Sequence, residues 1–205
     1  VLGDSLADEV VGKIDYDFAG IGVLTSVACQ TALRGKMLDD RIRRFIAAHP
    51  HAVVVDVGAG LDSRVFRVDP PSTVNWYNVD LPRVIELRDE VLPHRDNAFS
   101  VSASVAEANW AQAIPADGPT MLVADGLTAF LDERTIIGLF RSIPEHFAAG
   151  EVAFNDYGRI GPMSRFAMKL APQKMFDTLS AQWGYAGFKD ARHPQTWSPR
   201  LRLLE

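Results

Sequence analysis

Residues 52–68 read AVVVDVGAGLDSRVFRV: a continuous β-branched run, then two glycines one residue apart, then a renewed helical pattern. That order is strand, tight turn, helix. Downstream the alternation continues, with NWYNVD (75–80) a strand and PRVIELRDEVL (82–92) a helix carrying proline in its first turn. AFSVSAS (98–104), PTMLVADG (119–126) and EVAFNDYG (151–158) are further strands, the last two separated by a helix through ERTIIGLFRSIPEHF (133–147). Strands alternating with helices imply parallel pairing and an α/β sheet covered on both faces. Upstream, a helix is expected from Thr25 and Ser26 to His49 and Pro50. Leu33, Met37, Leu38, Ile42, Phe45 and Ile46 form its buried stripe, and Arg41, Arg43 and Arg44 face outward.

The 205 residues, 47% hydrophobic and 23% charged, suit one globular domain. No internal repeat or linker divides it. The expected organisation is a single domain over 1–205, with a helical N-terminal extension (1–50), a core (51–160) and a C-terminal segment (161–205). Basic residues number 21 against 26 acidic, a net charge of −5, and none cluster as a phosphate backbone requires, so nucleic acid is excluded as a partner. Apolar runs such as 52–55 and 121–124 are far shorter than the roughly 20 residues of a membrane span. The opening GDSLADEVV is acidic where a secretory signal is basic, and the lone Cys29 permits no internal disulfide, so a cytoplasmic protein is expected. Cys29 itself reads as a small buried apolar side chain.

In an open α/β sheet, ligands sit beyond the carboxyl ends of the strands, where chain order reverses. Gly58 and Gly60 lie at that rim, where they let backbone approach a ligand and accept positive φ. Twenty residues later Asp80 ends the second strand, the position from which a carboxylate accepts hydrogen bonds from both ribose hydroxyls. It also stands where it can cap the following helix, just before Leu81 and Pro82. Together these features point to an adenosine-containing ligand. The dinucleotide fingerprint wants a third glycine where Ser63 stands, and Asp62 lies where a pyrophosphate would approach, whereas a cationic sulfonium tolerates an acidic rim. Asp56, two residues before Gly58, completes an acid-x-Gly-x-Gly arrangement common in methyltransferases.

GAGLDSR, WYNVDLPRVIELRDEVLP and LVADGLTAFLDE, in this order and spacing, resemble the leucine carboxyl methyltransferase family, and within it the branch of tetracenomycin-type polyketide O-methyltransferases. The likeness runs from about Asp4 to the end of the chain. It implies a class I methyltransferase fold, Rossmann-like, with a mostly parallel sheet, helices on both faces and a C-terminal hairpin that is incomplete here, RLRLL (200–204) opening one last strand. It implies S-adenosyl-L-methionine as cofactor. Arg34 then meets the carboxylate of the cofactor's methionine end, Gly58 and Gly60 let the cofactor lie against the turn, Asp80 holds the ribose, and Leu81 touches the adenine. Ser104 and Val105 fall where the family contacts the adenine edge, although one branch has an acid at Ser104. Asp125 stands where the family has glutamate facing the methionine amino group, one methylene longer. Phe130 replaces a common tyrosine and is expected to pack. Asp62 and Arg64 are expected to cap the helix and pair with each other.

Methyl transfer from a sulfonium needs an acceptor in line with the methyl carbon, so positioning carries the rate. A carboxylic acid, of pKa about 4, is ionised at neutral pH and needs no general base. No catalytic residue and no metal ligand is therefore assigned: His49, His51, His94, His146 and His193 lack the spacing of a metal site or a triad. The expected partner is a small, largely apolar substrate, with Phe166, Met168, Trp183, Tyr185 and Phe188 as candidate pocket residues. The sequence does not state an oligomeric state. Two other readings stay open, a nicotinamide-dependent oxidoreductase and a non-catalytic nucleoside-binding module.

Overall fold

The computed structural model describes residues 2–18, 20, 22–158 and 184–204. Five strands, β1 (Val53–Val57), β2 (Asn75–Asp80), β3 (Ala98–Ser102), β4 (Pro119–Ala124) and β5 (Ala149–Phe154), form one sheet in the order β3-β2-β1-β4-β5. Every pairing is parallel, with Val53 opposite both Asn75 and Thr120. The helices are α1 (Ala7–Gly12), α2 (Thr25–Ala48), α3 (Arg64–Val68), α4 (Pro82–Val91) and α5 (Glu133–His146), with short 3-10 turns at Thr128–Phe130 and His193–Thr196.

The period of two along β1 assigns the two faces. Val54 packs with Trp76, Met121 and Val123 against Leu38, Ile42, Phe45 and Ile46 of α2 and Val65 and Val68 of α3. Val53, Val55 and Val57 turn the other way, onto Leu139 and Ile143 of α5 and onto Trp110, Ala111 and Ile114. All five residues of β1 are buried, which is why the strand reads as a run of valines broken only by Asp56. Asp132 caps α5, its Oδ1 accepting from Thr135 N at 2.7 Å.

Several sequence expectations are corrected. Leu33 and Met37 do not share the buried stripe of α2; Met37 is 72% exposed, because at 3.6 residues per turn it lies about 100° round the helix from Leu38. Arg41 does not face outward: its Nη2 reaches Glu151 of β5 at 2.6 Å. Cys29 is exposed on the first turns of α2, which stand clear of the core. Strands β3 and β4 stop two residues short of the expected ends: Ala103 N makes the last rung of the ladder, to Asp80 O where β2 ends, and Gly126 adopts a positive φ of 75°. RLRLL forms no strand among the described residues; Leu203 N donates instead to the Gln195 side chain, and Leu204 is exposed. Tyr185 and Phe188 are core, packed with Ile136 and Phe140 of α5. Phe166, Met168 and Trp183 lie outside the described residues. Phe130 is half-exposed at the end of its 3-10 turn and does not pack as expected. No described helix is long and apolar enough to cross a membrane.

Candidate functional site

Chain order reverses between β1 and β4, so the crevice beyond Val57 and Ala124 is the topological switch point of the sheet. The glycine turn occupies it. Gly58 (φ 68°) and Gly60 (φ 50°) are both left-handed, a conformation that costs an L side chain about 1 kcal/mol or more. A Cβ on Gly58 would meet the Leu127 side chain at 3.0 Å, whereas one on Gly60 would meet nothing within 4 Å. Gly58 is thus needed for packing as well as φ, while Gly60 leaves its backbone open to an approaching ligand.

The turn is held from three directions. Gly58 N donates to Val79 O at 2.8 Å, and Gly60 N donates to Asp80 Oδ2 at 2.8 Å. From beneath, the buried Arg88 of α4 donates through Nη1 to Gly60 O (2.9 Å) and Asp62 O (2.8 Å), and through Nη2 to Asn78 Oδ1 (3.0 Å). The partners of this guanidinium are neutral oxygens, and burial lowers its pKa. Asp80 Oδ1 accepts at 2.7 Å from N of Leu81, the residue before α4, but no side chain caps that helix, so the expected cap is not formed; each oxygen keeps a lone pair for another donor. Leu81 is half-exposed beside it. Beyond β3, Ser104 turns the chain, its Oγ accepting from Ala106 N at 3.3 Å, and Val105 packs toward the Trp110 cluster.

On the other side of the crevice the two residues expected at opposite ends of an amino acid are joined to each other. Arg34 Nε donates to Asp125 Oδ1 at 2.5 Å, and the Arg34 guanidinium lies 5.5 Å from the centre of the Tyr157 ring. The other oxygen, Asp125 Oδ2, accepts from Arg64 Nη2 at 2.7 Å. All eight sequence-assigned residues, Arg34, Gly58, Gly60, Asp80, Leu81, Ser104, Val105 and Asp125, therefore sit along one rim of the sheet.

Sequence reasoning missed the centre of this rim. Arg64 was expected to pair with Asp62, and does at 2.9 Å, but it is not a surface pair. Its side chain is 1% exposed and also binds Asp39 of α2 at 3.0 Å, Asp56 of β1 at 3.1 Å and Asp125. Arg67, one turn on, donates to Asp39 (2.9 Å), Asp62 (2.5 Å) and Asp4 (3.1 Å). Neither Asp62 nor Ser63 caps α3 through its side chain, so the expected cap is replaced by this network. The charge of Asp62 is taken up by Arg64 and Arg67, which removes much of the repulsion that the sequence argument set against a pyrophosphate. Burial pushes the Asp56 carboxyl up to about 6 despite Arg64 beside it, with Asp62 and Asp125 adding to the rise. Burial alone would raise Asp62 as well, but Arg64 and Arg67 outweigh it and hold it below its usual value. The acids of the cluster hold the Arg64 guanidinium firmly charged against its own burial. The only signal for Asp39 in the sequence was a polar residue one position from the buried stripe of α2.

A cleft of about 460 Å³ opens elsewhere, between α3, α4 and the β2 and β3 face, lined by Phe66, Asn78, Arg88, Leu92, Phe99 and Ser100. Its cations Arg88 and Arg95 are committed to carbonyls and to Asp69, and it lies away from the strand ends, so the glycine rim is the better candidate. Among the described residues no three His, Cys, Asp or Glu side chains converge as metal ligands.

The profile of the leucine carboxyl methyltransferase family matches residues 21–144. The chain is 42% identical over its whole length to the tetracenomycin polyketide synthesis O-methyltransferase TcmP of Streptomyces glaucescens, covering 74% of that protein. It is 26% identical, again over its whole length and 74% of the relative, to the S-adenosyl-L-methionine-dependent methyltransferase dpfgK of Gibberella zeae. In fold it is similar to a putative methyltransferase from Thermobifida fusca (TM-score 0.57, 17% identity, 80% of this chain and 69% of that one). It is similar also to human N-acetylserotonin methyltransferase solved with its cofactor (TM-score 0.53, 9% identity, 81% and 45%). Nothing in these likenesses favours the nicotinamide or non-catalytic readings. Open backbone at Gly60, acceptors at Asp80 and an acid and a base across the crevice suit a nucleoside joined to an amino acid, and the chain belongs to the leucine carboxyl methyltransferase family, as an S-adenosylmethionine-dependent methyltransferase.

Proposed function

We propose that the protein methylates an oxygen, a carboxylate or an acidic hydroxyl, of a small, largely apolar, polyketide-like molecule. The observation that carries this reading is the identity with TcmP along the entire chain, since that relative is a polyketide O-methyltransferase. A cytoplasmic setting, expected from the cysteine content, goes with it.

When bound, S-adenosylmethionine supplies an electrophilic methyl group whose departure leaves a neutral thioether. The residues of the chain bind and orient. Gly58 and Gly60 give the nucleoside access to backbone; Asp80 accepts from the ribose hydroxyls while still holding Gly60 N; Leu81 lies against the adenine, and Ser104 and Val105 stand at its edge. Arg34 takes the carboxylate of the methionine end by charge-assisted hydrogen bonds, and Asp125 takes its ammonium. An acceptor carboxylate is already ionised, so no side chain need remove a proton.

Turnover with a panel of carboxylic acids and phenols tests the reading. A methyl ester, released by mild alkali, is the expected product; an alkali-stable ether would move the acceptor to a hydroxyl, and absence of transfer to any oxygen would overturn the proposal. Asp80→Ala is expected to weaken S-adenosylhomocysteine by about 1.5–3 kcal/mol, the range for hydrogen bonds to a charged group, in calorimetric titration. Unchanged affinity in a folded variant removes Asp80 from the ribose site.

A further inference from the structure

We infer that Arg64, which is too buried to touch a ligand, is the positioning residue for the amino-acid end of the site: it holds Asp125 in place so that the Arg34 pair can open around a zwitterion. The inference rests on the reading of the rim proposed above.

Every nitrogen of the Arg64 guanidinium is committed. Nε is on Asp39 (3.0 Å), Nη1 on Asp56 (3.1 Å), and Nη2 on Asp125 (2.7 Å) and Asp62 (2.9 Å). A planar fork fixed at three corners to α2, β1 and the glycine turn leaves Asp125 Oδ2 little freedom, and so sets the direction of Oδ1. Oδ1 faces Arg34, at 2.5 Å. Arg34 is the less constrained partner: its side chain is 28% exposed, and residues 25–31 of the same helix are largely exposed.

An α-amino acid carries a carboxylate for Arg34 and an ammonium for Asp125. Its arrival replaces one ion pair by two, and neither protein charge is left without a partner at any stage. That exchange works only if Asp125 stays where it is when Arg34 lets go. Arg64 supplies the second anchor, and lysine, with a single nitrogen, cannot hold Asp39, Asp56 and Asp125 together.

The backbone of the nucleoside end is held by a different arginine, Arg64 reaching the glycine turn only through the Asp62 side chain, which Arg67 also holds. Arg88 fixes Gly60 O and Asp62 O from beneath and makes no contact with Asp125. The two ends are therefore separable by ligand. S-adenosylhomocysteine carries both, while 5′-methylthioadenosine has the nucleoside and thioether without the amino acid.

Calorimetric titration of both ligands into wild type, Arg64→Lys and Arg88→Lys, each followed by thermal unfolding, tests the inference. Arg64→Lys is expected to weaken S-adenosylhomocysteine roughly tenfold or more, the scale of one charge-assisted hydrogen bond, and to leave 5′-methylthioadenosine within about twofold. Arg88→Lys is expected to weaken both ligands alike. Equal losses for the two ligands in Arg64→Lys, or no loss for either, overturn the inference. If Arg64→Lys does not fold, Asp39→Asn, which weakens the hold on Arg64 Nε at nearly unchanged shape, is read by the same ratio: a selective loss supports the inference and an unchanged ratio overturns it. A wild type that binds neither ligand overturns the reading of the rim itself; a wild type that binds both, with an unselective Arg64→Lys, overturns the inference alone.

Discussion

Arg64→Ala is expected to lower the unfolding free energy by about 3–5 kcal/mol, the cost of removing one partner from a buried ion pair, measured by urea unfolding at pH 7.5. The size follows from what is left behind. Asp39 and Asp56 have side chains 2% exposed, and among the described residues Asp56 has no other guanidinium within ion-pair distance. Arg67 continues to hold Asp39 and Asp62, and Arg34 continues to hold Asp125, so the uncompensated charge concentrates on Asp56. A loss below about 1 kcal/mol, the range of an exposed pair, would show that water reaches the cluster and that Arg64 is not its centre.

Asp56→Asn reverses part of this. The Asp56 carboxyl stands near 6 in the folded chain against an ordinary 3.8, because burial outweighs the attraction of Arg64. A carboxyl whose pKa is raised by folding binds more protons in the native state than in the unfolded one between those two values. Its contribution to stability is therefore largest below pH 3.8 and is lost as pH rises through 6. Wild type minus Asp56→Asn should shift against the wild type by about 2–2.5 kcal/mol from pH 4 to pH 7.5, at 1.36 kcal/mol per pH unit, the rest of the effect lying below pH 4. Differences measured between the two proteins cancel the opposite contribution of Asp62, whose carboxyl is held low and which both retain. A difference that stays flat with pH would mean that folding leaves the Asp56 carboxyl unshifted, and one that rises with pH that it is held ionised.

The fold was legible because its decisive signals are local. A strand buried on both faces is rich in β-branched apolar residues, and β1 is, with four valines around the single Asp56; a turn with two positive φ angles selects glycine, and Gly58 and Gly60 mark it. Asp80 was legible as well, being fixed by a spacing of twenty residues within one strand-helix-strand unit. The network around Arg64 was not, since its acids come from Asp39, Asp56, Asp62 and Asp125, which neighbour each other only after α2, β1 and β4 have assembled. Nothing in a helical stretch such as MLDDRIRR says which aspartate turns inward: Asp39 is buried, whereas Asp40 pairs with Lys36 in water. Met37 and Leu33 failed for a related reason, an apolar stripe being wider in sequence than the surface available to cover it. For the pairing of Arg34 with Asp125, the sequence supplied both residues and their opposite charges but not their meeting.

The strand order has a kinetic side. Val53 pairs with Asn75 across a short crossover, but its other neighbour, Thr120, lies about three times as far along the chain. Contacts of long sequence separation form late, because the loop must close before they are rewarded. The half-sheet of β1, β2 and β3, with α3 and α4, can thus assemble early, complete with its glycine turn. Asp125 arrives only when β4 docks, so the amino-acid half of the crevice forms after the nucleoside half. A ligand that needs both halves stabilises the finished protein and none of its precursors, and so slows unfolding without hastening folding.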